Sequence, residues 1–113
     1  MLYLANGGLF VGAQNRGYAP GLQAAAVLQA VPTVATVLIS QTCDVQRIVI
    51  SNTTTGMLSV TITDNAGTPL TFLGALDIMA KSAFAVDLGG TRFTGGVKWS
   101  ASGSGLVGAV LAW

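Results

Sequence analysis

The clearest pattern in the chain lies between Arg47 and Asp64. Two β-rich runs, Arg47–Asn52 and Met57–Asp64, flank the polar break Thr53-Thr54-Thr55-Gly56. In the second run Leu58, Val60 and Ile62 fall on one side and Ser59, Thr61 and Thr63 on the other. A period of two marks a half-buried strand; a helix would scatter the same residues round its circumference. The segment predicts an antiparallel hairpin with an apolar face and a hydroxyl face.

The same reading extends along the chain. Residues 1–21 are irregular, broken by Gly7-Gly8, Gly12, Asn15, Gly17 and Pro20-Gly21. They read as an extended arm that packs on a neighbour, with a poorly ordered terminus as the alternative. Leu22–Val31 is the one helical candidate, with an Ala-rich edge strand as the alternative: three alanines precede Val27, and Pro20 and Pro32 bracket the run. Thr33–Ser40 reads as a strand with apolar residues on both faces, so both are expected to be covered. Gln41–Asp44 is a turn.

Asp64-Asn65-Ala66-Gly67 is a turn by its residue types, since Asn and Gly tolerate positive φ. Thr68–Leu73 is the return strand, with Pro69 at an edge or a strand start because it cannot donate to a ladder. Gly74–Lys81 fits a bend or one helical turn. Ser82–Leu88 alternates with Phe84, Val86 and Leu88 inward, and Gly89-Gly90 turns the chain. Arg92–Trp99 sets Phe93, Val97 and Trp99 on one face. Ser102–Gly105 is the last turn, before the strand Leu106–Trp113.

These elements sum to an all-β domain: a single antiparallel β-sandwich or jelly-roll-like small barrel of about seven or eight strands. Residues 1–32 form an N-terminal arm with a short helix, and residues 33–113 form the sandwich. Trp113 is expected to be covered, in the core or in an interface.

Composition sharpens this picture. Charged residues make up 8% of 113, against roughly 25% in an ordinary soluble domain. Glu, favoured on helix surfaces, is absent, while Val, Thr and Gly abound, which again favours strands. So sparse a charge points to a surface covered by assembly or by membrane. Assembly is the better fit, because the apolar residues come as short alternating runs. The best spanning candidate, Leu22–Ile39, is interrupted by Gln23, Gln29, Thr33, Thr36 and Pro32. A small membrane barrel stays open as a further reading. Met1–Asn6 has no basic region and no clear cleavage site, so no signal peptide is expected. A net charge of +1 leaves no electrostatic footprint for nucleic acid.

Candidate chemistry is sparse. His and Glu are missing, so no Ser-His-Asp or Cys-His set and no Cys/His zinc site can be assembled. Asp64-Asn65 and Asp77 are the only calcium candidates, and turn chemistry already explains the first two. Cys43, the lone cysteine, reads as a small buried hydrophobe. Gly89-Gly90 and Ser102–Gly105 do not match phosphate loops. Phe84, Phe93 and Trp99 fall on apolar sides of strands, which favours core packing over sugar stacking. Arg47 and Arg92 each begin a strand and read as ordinary solvated charges or intrachain pairs, with pairing to an aspartate across an interface as the alternative. No catalytic, cofactor-binding or metal residue is assigned, and an enzyme is not expected.

From about Val45 onward the order of motifs is familiar: Ser51-Asn52-Thr53-Thr54-Thr55-Gly56, Thr63-Asp64-Asn65-Ala66-Gly67-Thr68, Val86-Asp87-Leu88-Gly89-Gly90, Arg92-Phe93-Thr94-Gly95-Gly96-Val97 and Ser100–Gly105. This resembles small β-rich virion proteins of tailed bacteriophages. The likeness covers roughly the last 60% of the chain and rests on turns and alternating strands. It implies a structural component of a bacteriophage virion, a capsid decoration or minor head protein. The partners implied are copies of itself and other virion proteins, with no nucleic acid, membrane, cofactor or small-molecule substrate. The alternatives are a neck, tail or fibre component, or a carbohydrate- or receptor-binding sandwich.

Overall fold

The computed structural model describes residues 20–113, with side chains from Leu22 onward. The arm expected over residues 1–21 lies, up to residue 19, outside the described residues. The order is α1 (Pro20–Ala25), β1 (Gln29–Ala30), β2 (Thr36–Ile39), β3 (Cys43–Asn52), β4 (Leu58–Asp64), β5 (Thr71–Ile78), β6 (Ala83–Phe93), β7 (Val97–Ala101) and β8 (Leu106–Ala112).

The strands form two four-stranded antiparallel sheets, ordered β1-β8-β3-β6 and β2-β7-β4-β5. The pairs β1/β8, β2/β7, β3/β6 and β4/β5 are those of one long hairpin folded back on itself. Rolling that hairpin up adds the pairs β3/β8 and β4/β7. This is a jelly roll, one of the two architectures the alternation predicts.

The core lies between the sheets. Ile48 and Ile50 of β3 and Val110 of β8 face Val60 and Ile62 of β4 and Val97 and Trp99 of β7, all buried. Each aliphatic side chain so buried contributes about 1.5–3 kcal/mol. The hydroxyl residues of β4 take the half-buried outer positions, as its alternation predicts.

Arg47–Asp64 is not a hairpin. β3 and β4 sit in opposite sheets, and residues 53–57 arch between them. Alternation alone cannot separate two strands that pair from two that face each other across a core. Asn52 holds the arch. Its Nδ2 donates to the Gly56 and Ile78 carbonyls at 2.9 Å each, and its Oδ1 accepts from the Thr54 N–H and hydroxyl at 2.9 and 2.7 Å. It is fully buried, so Asn52→Ala strands several polar groups at once. The expected loss is about 2–3 kcal/mol in urea unfolding. A loss below about 0.5 kcal/mol, ordinary for a surface site, would contradict that role.

Further differences have local causes. The helix stops at Ala25 because Gln29 caps it, with Nε2 donating to the Ala24 and Val27 carbonyls at 2.8 and 3.0 Å. The backbone of Gln29 already begins β1. Leu22, Ala25 and Val31 belong to the core, so the described part of residues 1–32 packs into the sandwich. β2 is an edge strand with Val37 exposed, and Val34 is exposed in the connection before it, so the run is not covered on both faces.

Gly89-Gly90 does not turn the chain. β6 runs through both residues as a bulge, with φ of 61° and 92°, and Leu88–Gly90 stand opposite Gln46 alone. The run Arg92–Trp99 is divided at Thr94–Gly96. Phe93 ends β6 in one sheet and Val97 begins β7 in the other. Gly74–Ile78 is neither bend nor helical turn but the continuation of β5. The turn at Asp64–Gly67 forms as expected, though neither Asn65 nor Gly67 takes a positive φ; the return strand runs Thr71–Ile78 rather than Thr68–Leu73, starting two residues beyond Pro69, with Thr63 paired to Thr71.

Candidate assembly surface

Burial is uneven round the sandwich. The inward residues of β3, β4, β7 and β8 are almost wholly buried. On β5 and β6 the corresponding residues, Leu73, Leu76, Phe84, Val86 and Leu88, touch the core but are only half-buried. These two strands are the outer edges of their sheets on the same flank, so the seam between the sheets is open there. On the opposite flank α1 packs against β8 and β2.

At one end of the seam, Leu70 is 73% exposed and Phe72 39%. Phe72 stands edge-on to the buried Phe93, with centroids 6.0 Å apart and planes at 67°. These three residues, with Asp64 and Arg92, line an open cleft of about 190 Å³. Asp64 is committed to the turn. Its Oδ1 accepts from the N–H groups of Leu70 at 2.9 Å and Ala66 at 3.4 Å, as turn chemistry requires. Asn65 Nδ2 donates to the Gly95 carbonyl at 3.2 Å. Asp77 lies on β5, exposed. Among the described residues no three His, Cys, Asp or Glu side chains converge as a metal cluster.

The two arginines staple the flank. Arg47 pairs with Asp87 and Arg92 with Asp44, both across the β3/β6 ladder, so each aspartate is an intrachain partner. The Asp44 carboxylate, hydrogen-bonded to the exposed Arg92 guanidinium, raises the pKa of that guanidinium further. Exposed pairs stabilise a fold little, because water and salt screen them; their effect here is to use up four of the few charges.

A second apolar group sits where four inter-sheet connections meet. The Lys81 N–H donates to the Thr54 carbonyl, the Thr53 N–H to Gly105 and the Ala101 N–H to Pro32, tying these loops into one end of the sandwich. Val34, Met57 and Met79 are exposed on three of them. Lys81 is drawn back to the Thr53 carbonyl at 3.0 Å.

Phe93 and Trp99 are core residues and Phe84 is half-buried in the seam, which favours packing over stacking on sugars. Trp113 is not tucked into this chain's core. It is 37% exposed, although its backbone exchanges two hydrogen bonds with Asp44. Cys43 is buried, as its isolation predicts. Burial, helped by the neighbouring Asp44, pushes its thiol from 9.0 up to about 11.

The folded state therefore holds the Cys43 proton where the unfolded chain would release it. Stability is expected to fall as the pH rises from about 9 to about 11, and Cys43→Ala should flatten that slope. Melting temperatures of both proteins across this window check it; identical slopes would contradict it.

No protein-family model, no curated protein and no solved structure matches this chain. Among the described residues no helix is long and apolar enough to cross a membrane.

Sequence reasoning missed the open flank. It found Phe84, Val86 and Leu88 as inward residues, but no local pattern says that β6 has a neighbour on one side only. The available signal was negative: Ala83–Val86 carries no charge, proline or glycine.

Proposed function

We propose that this chain is a structural component of a bacteriophage virion, most simply a capsid decoration or minor head protein. It acts through assembly contacts, with copies of itself and with other virion proteins as partners. The observation that carries the reading is the β5–β6 flank, an apolar seam bordered by two strand edges and nearly free of uncommitted charge. A protein that works alone in water gains nothing from such a flank and risks aggregation. A shell component gains contacts from it. Jelly rolls occur in viral shells and in lectins alike, so the fold by itself does not choose between them.

The exposed Phe72 beside its cleft favours a second reading, a carbohydrate- or receptor-binding module. The cleft holds about 190 Å³, below the roughly 300–1,000 Å³ usual for ligand pockets. So small a cleft supports the assembly reading over a ligand pocket.

The test is immunogold microscopy and mass spectrometry of density-banded phage particles from the source that encodes the chain. Label on the head is the expected result. Label on the neck, tail or fibre would move the protein to another part of the particle. Absence from the particles, with binding on a glycan array, would replace the virion reading by the second one.

A further inference from the structure

We infer that two copies of this chain pair antiparallel along the outer edge of β6, about a two-fold axis at Ala85. The inference rests on the assembly reading above and names the partner of its flank.

Three observations carry it. First, the edge is regular. Residues 83–87 keep one continuous register with β3, from Ala83 opposite Ser51 to Asp87 opposite Arg47. The neighbouring edge strand β5 is irregular in two places and has Ala75 at φ 55°. Such irregularities blunt an edge, and residues 83–87 of β6 have none.

Second, the phase of the ladder is set. The Asn52 N–H donates to the Ser82 carbonyl at 2.8 Å. In an antiparallel ladder bonded pairs alternate, so Phe84 and Val86 turn their main-chain groups toward β3. Ala83, Ala85 and Asp87 turn theirs outward. Among the described residues no strand pairs with that side.

Third, the edge complements itself. A two-fold axis normal to the sheet preserves its faces, so partners must have the same parity. Centring on Ala85 sets Ala85 opposite Ala85, Ala83 opposite Asp87, and Phe84 opposite Val86. All three outward-facing residues of each copy then find bonded partners. On the inner face Phe84 meets a β-branched residue, a favourable cross-strand pair, and the two open seams adjoin. On the outer face Asp87 meets alanine, not a second aspartate. Centring one residue further along would bring in Gly89, where the bulge with φ 61° disrupts the ladder.

The test uses the full chain. Directly opposed residues of a bonded pair have Cα atoms about 5.5 Å apart, within disulfide reach. Ala85→Cys, oxidised with glutathione disulfide, should therefore give a covalent dimer. Leu111→Cys, exposed on β8, should stay uncrosslinked, and Cys43 is buried. Ala85→Lys sets two ammonium groups face to face and should raise the dimer dissociation constant by about tenfold or more. Ala83→Lys sets an ammonium opposite Asp87 and should lower it. Circular dichroism confirms that each variant folds.

An oligomer that neither cross-links through position 85 nor responds to Ala85→Lys overturns the edge pairing and leaves the assembly reading standing. A cross-linking dimer that is absent from particles upholds the pairing and removes the virion reading.

Discussion

Trp99→Ala should lower the free energy of unfolding by about 3–5 kcal/mol, the usual range for a large aromatic removed from a core. Trp99 sits on β7, the central strand that joins β2 to β4, and it is 2% exposed. It pairs with Ile62 on one side and Thr36 on the other. Across the core its Cζ3 lies so near Gly108 of β8 that a Cβ there would come within 3.4 Å. The indole thus spans from one sheet to the other, and its removal leaves a void between backbones that pairing holds apart. For a domain of this size the loss corresponds to a fall of roughly 12 °C or more in melting temperature. A shift of one or two degrees would show that the core closes without the indole.

Gly96→Ala should cost about 3 kcal/mol or more, for a different reason. Gly96 lies in the crossing from β6 to β7 with φ of 115°, a region in which side chains are strained. A Cβ there would overlap the Ile39 carbonyl, so the end of β2 would have to move. The same residue accepts the Asn65 N–H at 3.1 Å, which links this crossing to the β4–β5 turn. Gly67→Ala is the control. Gly67 has an ordinary φ and open space, so that change should stay within about 0.5 kcal/mol. Chemical denaturation of the two variants side by side separates the readings; equal stabilities would show that the crossing tolerates a side chain.

The alternation of single strands is legible in the sequence. It sets Val60, Ile62, Phe93, Val97 and Trp99 inward, and all five are buried. The Asp64–Gly67 turn is legible too, because its residue types carry the geometry. What the pattern does not carry is partnership. β3 and β4 keep the alternation of a hairpin while lying in opposite sheets. Gly89-Gly90 has the composition of a turn, but the ladder resumes at Thr91 opposite Val45, so it becomes a bulge. The Arg92–Trp99 run keeps its apolar side through the crossing at Gly95-Gly96, which hides the change of sheet. The open β5–β6 flank, the candidate assembly surface, is legible only as a shortage of charge. Its location depends on which strands lack a neighbour, and that is a property of topology.

Self-association is tested most directly by the native mass of the full chain, measured by light scattering without detergent over a range of concentrations. The expected result is twice the 11.4 kDa chain mass or an even multiple of it, with dissociation on dilution eased by Ala85→Lys. A soluble monomer at every concentration would contradict it.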